Sequence, residues 1–133
     1  MFGIDMAMRD TDVEIRGSSL AGLRIVLAIS GGIAAVDTVR LARELRRHGA
    51  ELTVIMTQSA QKIITPLAVR WASQCEVITD WDGDLSALDE VDGILVAPAT
   101  RNLMASFVHG LNNGPLLMAL SVARGRGTAT MFV

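Results

Sequence analysis

The chain has one cysteine, no tyrosine, two tryptophans, three phenylalanines and three prolines among 133 residues. The lone Cys75 cannot pair within the chain, so no disulfide framework holds the fold, and the expected compartment is reducing. No apolar run approaches the ~20 residues that a membrane-spanning helix needs. The opening MFGIDMAMRDTD carries acids where a secretory signal has a basic start and an apolar stretch. A cytoplasmic protein without membrane association is expected. Charge of one sign is lacking too: 12 basic and 14 acidic residues are interspersed and leave a net charge of -2. That pattern excludes the basic footprint of a nucleic-acid binder. The densest basic cluster, Arg46-Arg47-His48, falls at the end of an apolar-periodic stretch, where cations complement a helix dipole.

Against these absences stands an apolar excess. Half of the residues are hydrophobic and the mean hydropathy is +0.40, with aliphatic rather than aromatic side chains supplying it. In so short a chain this predicts surface buried against other subunits.

The stretch from Arg24 to Arg40 organises the rest. Ile25 to Ile29 is a short apolar run of the kind buried on both faces of a parallel sheet, and it ends at Ser30-Gly31-Gly32. Ala35, Val39, Ala42 and Leu45, flanked by Ala34 and Leu41, then form one apolar helical stripe, with Asp37, Arg40, Arg43 and Glu44 facing away. A strand, a glycine turn and a helix bring free backbone N–H groups to the carboxyl edge of a sheet, where a phosphate fits. Gly32 is expected either to take a positive φ or to let the backbone approach a ligand.

Residues 1–20 show no period and form an N-terminal arm, an irregular segment or short helix lying on a neighbour. Residues 21–133 are the folded domain. Gly49 stops the first helix, and Glu51 to Met56 is the second strand. The polar corner Thr57-Gln58-Ser59-Ala60 opens a helix through Lys62 and Ile64. Thr65-Pro66 starts another, with a cap residue and Pro at its first position, to about Ala72. Cys75 to Thr79 is the third strand, with Cys75 a buried structural thiol. Asp80, Asp82 and Asp84 sit in an acidic turn that lacks the glycine and closing glutamate of a calcium loop, so a solvated turn is expected and no metal. Leu85 to Glu90 is one or two helical turns, and Gly93 to Ala97 the fourth strand. Arg101 to His109 and Pro115 to Ala123 are helices, Gly125 and Gly127 bracket a turn, and Thr128 to Val133 is the fifth strand. Met56, Met104 and Met118 read as core filler. His109 reads as compensation of a helix dipole.

Strands alternating with helices predict an α/β fold: a doubly wound parallel sheet of about five strands, Rossmann-like or flavodoxin-like, in the order 3-2-1-4-5. Its carboxyl edge would gather Ser30 to Ile33, Thr57 to Ser59 and Pro98 to Asn102. The glycine turn has neither the G-x-G-x-x-G spacing nor a Walker Lys-Ser/Thr pair, and Met56, Thr57 and Gln58 stand where a ribose-binding acid would be. NAD is disfavoured. Hydroxyls of Ser30, Thr57 and Ser59 with helix-start amides suit a phosphate monoester such as that of FMN, and the alternative is that Ser30 and Ser59 merely cap their helices.

Three segments carry a further signal: Ile29-Ser30-Gly31-Gly32-Ile33-Ala34-Ala35, Val54-Ile55-Met56-Thr57-Gln58-Ser59-Ala60 and Val96-Ala97-Pro98-Ala99-Thr100-Arg101-Asn102, followed by His109-Gly110-Leu111 and Pro115. In order and spacing, residues 24–133 resemble the FMN-binding flavoproteins of the homo-oligomeric cysteine decarboxylase family. That family includes phosphopantothenoylcysteine decarboxylases, lantibiotic peptidyl-cysteine decarboxylases and flavin prenyltransferases. The resemblance implies FMN as cofactor and a small-molecule substrate. It makes Ser30, Gly31, Gly32 and Ile33 the first flavin loop and gives the phosphate to Thr57 and Ser59. Ala97, Pro98, Ala99, Thr100 and Asn102 would line the isoalloxazine and ribityl side. It also implies a homo-oligomer, a trimer or a multiple of three, with flavin at a subunit contact.

Two departures qualify the activity. Decarboxylating members place a catalytic His shortly before the fourth strand, and here Asp84 stands nearest that position, while the only histidines are His48 and His109. The family also continues past the fifth strand with a Pro-x-Met segment and, in decarboxylases, a flap bearing a cysteine, so the substrate lid is expected either to be absent or to lie beyond Val133. The first expectation is a phosphopantothenoylcysteine decarboxylase-like flavoprotein of coenzyme A biosynthesis. The alternatives are a flavoprotein with other chemistry, of pterin reductase or flavin prenyltransferase type, and a non-catalytic FMN-binding subunit.

Overall fold

The computed structural model describes residues 9–81, 88 and 90–133. Its first strand, β1 (Arg24–Ile29), has Val26, Leu27, Ala28 and Ile29 all at 0 or 1% exposure. Successive side chains of a strand point to opposite faces, so a run buried throughout needs a layer on each side. Val26 and Ala28 pack toward α3 (Arg101–Val108) and α4 (Pro115–Arg126), alongside Leu103, Leu117 and Leu120. Leu27 and Ile29 pack toward α1 (Thr38–Arg47) and α2 (Pro66–Ser73), alongside Ala42, Val69 and Ala72.

The remaining strands are β2 (Glu51–Met56), β3 (Val77–Ile78), β4 (Gly93–Val96) and β5 (Ala129–Phe132), all parallel in the order β3-β2-β1-β4-β5. This is the expected doubly wound sheet. Register runs from Arg24 opposite Glu51 to Ile29 opposite Met56 on one side of β1, and from Ile25 opposite Gly93 to Ala28 opposite Val96 on the other. The chain turns toward β2 first and β4 later, so the switch point lies beside the carboxyl end of β1. No helix among the described residues is long and apolar enough to cross a membrane.

Several elements differ from the sequence reading. The segment after the glycine turn is a 3-10 helix (Ile33–Asp37) before α1 begins. Gly32 provides no capping side chain, and tighter i to i+3 backbone bonds form instead: Ala35 N–H donates to Gly32 O at 2.9 Å and Thr38 N–H to Ala35 O, where the Thr38 hydroxyl also donates at 2.7 Å. The 57–64 helix is likewise only a 3-10 turn (Ala60–Lys62). Thr65 caps α2 as expected, accepting from Ala68 N–H at 3.2 Å, but α2 reaches Ser73 and ends on Gln74 at φ 54°. Cys75 and Glu76 are then used in the turn, which leaves β3 two residues long. Cys75 is half-buried, and burial pushes its thiol pKa up. Gly125 lies inside α4, whose turn comes only at Gly127 with φ 71°. Met56 is in the core and Met118 packs against it, whereas Met104 is 43% exposed. Asp82, Asp84 and most of the Leu85 to Glu90 segment lie outside the described residues.

Residues 9–23 run along the C-terminal end of α1 of the same chain. Arg16 N–H donates to Arg47 O at 2.8 Å, and the Arg46 guanidinium donates to Thr11 O at 2.8 Å and to Ala72 O at 3.0 Å. The basic cluster is therefore structural: Arg46 ties the arm to α2, and Arg47 pairs with Glu44 at 2.9 Å. That hydrogen bond holds the Glu44 carboxyl below its usual pKa.

The glycine turn is closed at Gly31 rather than Gly32. Gly32 has an ordinary extended backbone (φ -91°), and an added Cβ would stand 3.2 Å from the Pro98 ring. At Gly31 a Cβ would lie 2.4 Å from Ser59 Oγ and 2.6 Å from Ser59 Cβ. Gly31→Ala is expected to destabilise the chain by ~1–3 kcal/mol through overpacking. Gly125→Ala, with open space around its position, should stabilise by up to about 1 kcal/mol through helix propensity. Urea melts of the two variants check the contrast.

Candidate functional site

Four turns meet at the carboxyl edge of the sheet: 30–32 after β1, 57–59 after β2, 79–81 after β3 and 97–100 after β4. Hydrogen bonds carry the strand pairings into them, with Thr57 N–H on Ile29 O at 3.0 Å and Ala97 N–H on Ala28 O at 2.9 Å. Ser30 then joins the turns on either side of the switch point. Its side chain donates to Pro98 O and accepts from Thr100 N–H at 3.1 Å, and the residue is 2% exposed. Ser30 caps no helix, and its one proton is spent inside the protein.

The second polar corner is partly free. Thr57 Oγ1 accepts from Ala60 N–H at 3.2 Å and lies 3.2 Å from Ser59 Oγ. One hydroxyl proton bridges the pair, so the pair offers one proton outward. Thr57, not Ser59, caps the 3-10 turn, and Ser59 makes no cap bond. Gln58 turns away to donate to Thr79 O at 3.1 Å, tying the second corner to the third.

Above these turns is a cleft of about 510 Å³, walled by Ser30, Met56, Thr57, Ser59, Thr100 and Asn102 on the sheet side. Leu103 and Ser106 of α3, and Asn113 to Leu117 leading into α4, form its far wall, while Lys62, Asp80 and Trp81 stand at its third corner. A second hollow of about 520 Å³ shares Ser59, Thr100 and Asn102 with the cleft and adds Gly31 and Arg101. Gly31 packs directly under Ser59, and only a residue without a Cβ allows that approach. Thr100 caps α3 by accepting from Leu103 N–H at 3.2 Å, which fixes Arg101 and Asn102 as its first exposed residues. Hydroxyl, amide and cationic donors around an unfilled space, with Met56 and Leu103 behind them, fit an anion joined to a flat apolar group.

The other predicted residues do not join this cleft. Ala97 and Pro98 line a separate apolar groove of about 570 Å³ with Ala34, Leu41 and Val133. Ala99 packs against the core on the α3 and α4 side, and Ile33 is 80% exposed on the outside of the 3-10 helix. Asp84 lies outside the described residues. His109 is the C-terminal cap residue of α3. The sequence reading missed Lys62, Trp81, Arg101 and Asn113. Arg101 had a signal, a cation inside the Pro98 to Asn102 corner to which the sequence reading gave no role. Asn113 had one in the Asn-Asn-Gly-Pro loop.

Comparison with known proteins bears on the family and the fold. The Thermococcus kodakarensis coenzyme A biosynthesis bifunctional protein CoaBC is 38% identical over 115 residues, covering 81% of this chain and 28% of that protein. The Escherichia coli K12 protein of the same name is 39% identical over 103 residues, covering 71% of this chain and 25% of its own. The chain thus spans about a quarter of the length of the curated relatives it matches. Among solved structures, AnUbiX in complex with FMN and dimethylallyl pyrophosphate superposes with a TM-score of 0.74 at 22% identity, over 84% of this chain and 63% of that one. At that identity the likeness concerns the fold alone. The Flavoprotein family model matches residues 14–133, nearly the whole chain and all of its described strands and turns, and the chain belongs to that family.

Proposed function

We propose that the chain binds FMN noncovalently at the carboxyl edge of its sheet and is the flavin-binding part of a phosphopantothenoylcysteine decarboxylase-like protein of coenzyme A biosynthesis. The observation that carries this reading is the convergence of Gly31, the Thr57–Ser59 pair, Thr100 and Asn102 at the switch point of a parallel sheet. The match to CoaBC proteins supports the pathway, and the neighbour with FMN bound supports the cofactor.

The chain's own groups divide the work of binding. The outward proton of the Thr57–Ser59 pair serves the phosphate, with the closed turn at Gly31 keeping the approach open. Asn102 offers an amide to the ribityl or ring polar atoms, while Met56, Leu103 and Leu116 keep water from the cleft floor. When bound, FMN supplies a two-electron acceptor for oxidising the thiol-bearing carbon of a cysteine carboxylate. The groove lined by Ala97, Pro98 and Val133 gives the flavin ring and a second copy an apolar surface, and the assembly is a trimer or a multiple of three in the cytoplasm.

Asp84 limits the chemistry. It is the residue nearest in sequence to the histidine of decarboxylating relatives and lies outside the described residues. An ionised carboxylate accepts hydrogen bonds but donates none, so it cannot take over the role of an imidazole that orients a thiol and manages its proton.

Three outcomes follow. The purified protein should be yellow, and heat should release FMN; release of FAD, or a colourless protein that takes up no FMN on titration, contradicts the cofactor assignment. Light scattering should give a mass of three or a multiple of three chains of 14.2 kDa, and a monomer at working concentration contradicts the assembly. Anaerobic mixing with phosphopantothenoylcysteine should bleach the flavin ~10²–10⁴-fold more slowly than in a histidine-bearing relative, the cost of one missing acid–base group. Bleaching and carbon dioxide release at that relative's rate would show that another group does the work.

A further inference from the structure

The hydroxyls at the carboxyl edge leave a phosphate under-served. Ser30 spends its one proton on Pro98 O and also accepts from Thr100 N–H, so it has no proton for a phosphate. Thr57 and Ser59 bond to each other and Thr57 also accepts from Ala60 N–H, so the pair offers one outward proton. The Gln58 amide is committed to Thr79 O. A phosphate monoester near neutral pH carries close to two negative charges and three acceptor oxygens. One hydroxyl proton and the uncharged loop amides do not neutralise that charge, and a cation at the edge would.

Two cations border the connected hollows, Lys62 and Arg101. Lys62 lies on the cleft side, where the Asp80 carboxylate also lines the wall. Arg101 borders the hollow that it shares with Gly31, Ser59, Thr100 and Asn102. It is exposed and takes part in no ion pair among the described residues, and its backbone is held by the Thr100 cap and, through Thr100, by Ser30. A guanidinium offers a planar fork of donors that matches two phosphate oxygens at once.

We infer that Arg101 is the phosphate-recognising residue of the flavin site, and that it makes the site select the phosphorylated flavin over riboflavin. The inference rests on the FMN reading above and adds the group that sets its specificity. Arg101 acts by charge and paired hydrogen bonds on the phosphate alone, so its contribution is invisible to a flavin that lacks one.

The test is calorimetric titration of the full chain with FMN and with riboflavin, for the wild type, Arg101→Gln, Arg101→Lys and Arg70→Gln, the last removing an exposed charge on α2. Arg101→Gln should weaken FMN binding about 10- to 100-fold, the usual scale for a charge-assisted pair, and leave riboflavin binding unchanged. Arg101→Lys should recover part of the loss, and Arg70→Gln should match the wild type. Wild-type FMN affinity in Arg101→Gln overturns the inference while the FMN reading stands. Equal losses for both flavins make Arg101 a structural residue and overturn it too. A wild-type chain that binds neither flavin overturns the inference together with the FMN reading.

Discussion

The hydroxyl of Ser30 joins the end of β1 to the turn after β4, and the rest of the carboxyl edge depends on that junction. Burying a hydroxyl at 2% exposure is costly unless its bonds are made, and leaving one partner unsatisfied costs ~1–3 kcal/mol. Ser30 makes both, one to Pro98 O and one from Thr100 N–H. Holding Thr100 in place lets its own side chain cap α3, which presents Arg101 and Asn102 to the hollow. On the other side of the junction, Gly31 passes beneath Ser59 with no room for a Cβ. The site is therefore a set of loops locked to one another, on a sheet whose two faces are already covered.

The fold was legible because each strand carried its own signal. β1 and β4 carry continuous apolar runs that end at Ser30-Gly31 and at Pro98, β2 closes on the apolar Val54-Ile55-Met56 before Thr57, and the parallel order follows once helices separate them. Helix caps were legible where a side chain makes the cap, as at Thr65 and Pro66. They failed at the glycine turn and at the second corner, where the first turn tightens into a 3-10 helix because the preceding residue has no cap bond to give. Periodicity over five or three residues cannot separate 3.0 from 3.6 residues per turn. The same limit explains Gly125, read as a turn residue but placed inside α4 because nothing crowds it there.

The site was legible by location and not by role. Motif position brought Ser30, Thr57, Ser59, Thr100 and Asn102 to one edge, and all five border the same cleft. What each hydroxyl does depends on which partner reaches it, and Ser30 meets its partners 68 and 70 residues away. No local pattern encodes that. Ala97 and Pro98 show the complementary effect. They follow directly on β4, whose alternating side chains reach both faces, and they open on the α1 side while Thr100 and Asn102 open on the cleft. A small molecule in contact with both groups has to lie across the end of β4, not inside either hollow.

The same corner accounts for the size of nucleotide that suits this sheet. In a dinucleotide fold the end of the second strand carries an acid that takes the ribose hydroxyls. Here Met56 is sealed in the core, Thr57 is held by Ala60 N–H and Ser59, and Gln58 swings to the third turn to hold Thr79 O. No acid stands among residues 56–59, the Gln58 amide donates to Thr79 O, and one of the two hydroxyl protons bridges Thr57 and Ser59. The corner keeps one outward hydroxyl proton and a guanidinium across the Gly31 hollow. Donors of this kind suit a phosphate, whereas the paired hydroxyls of a second ribose call for a carboxylate acceptor.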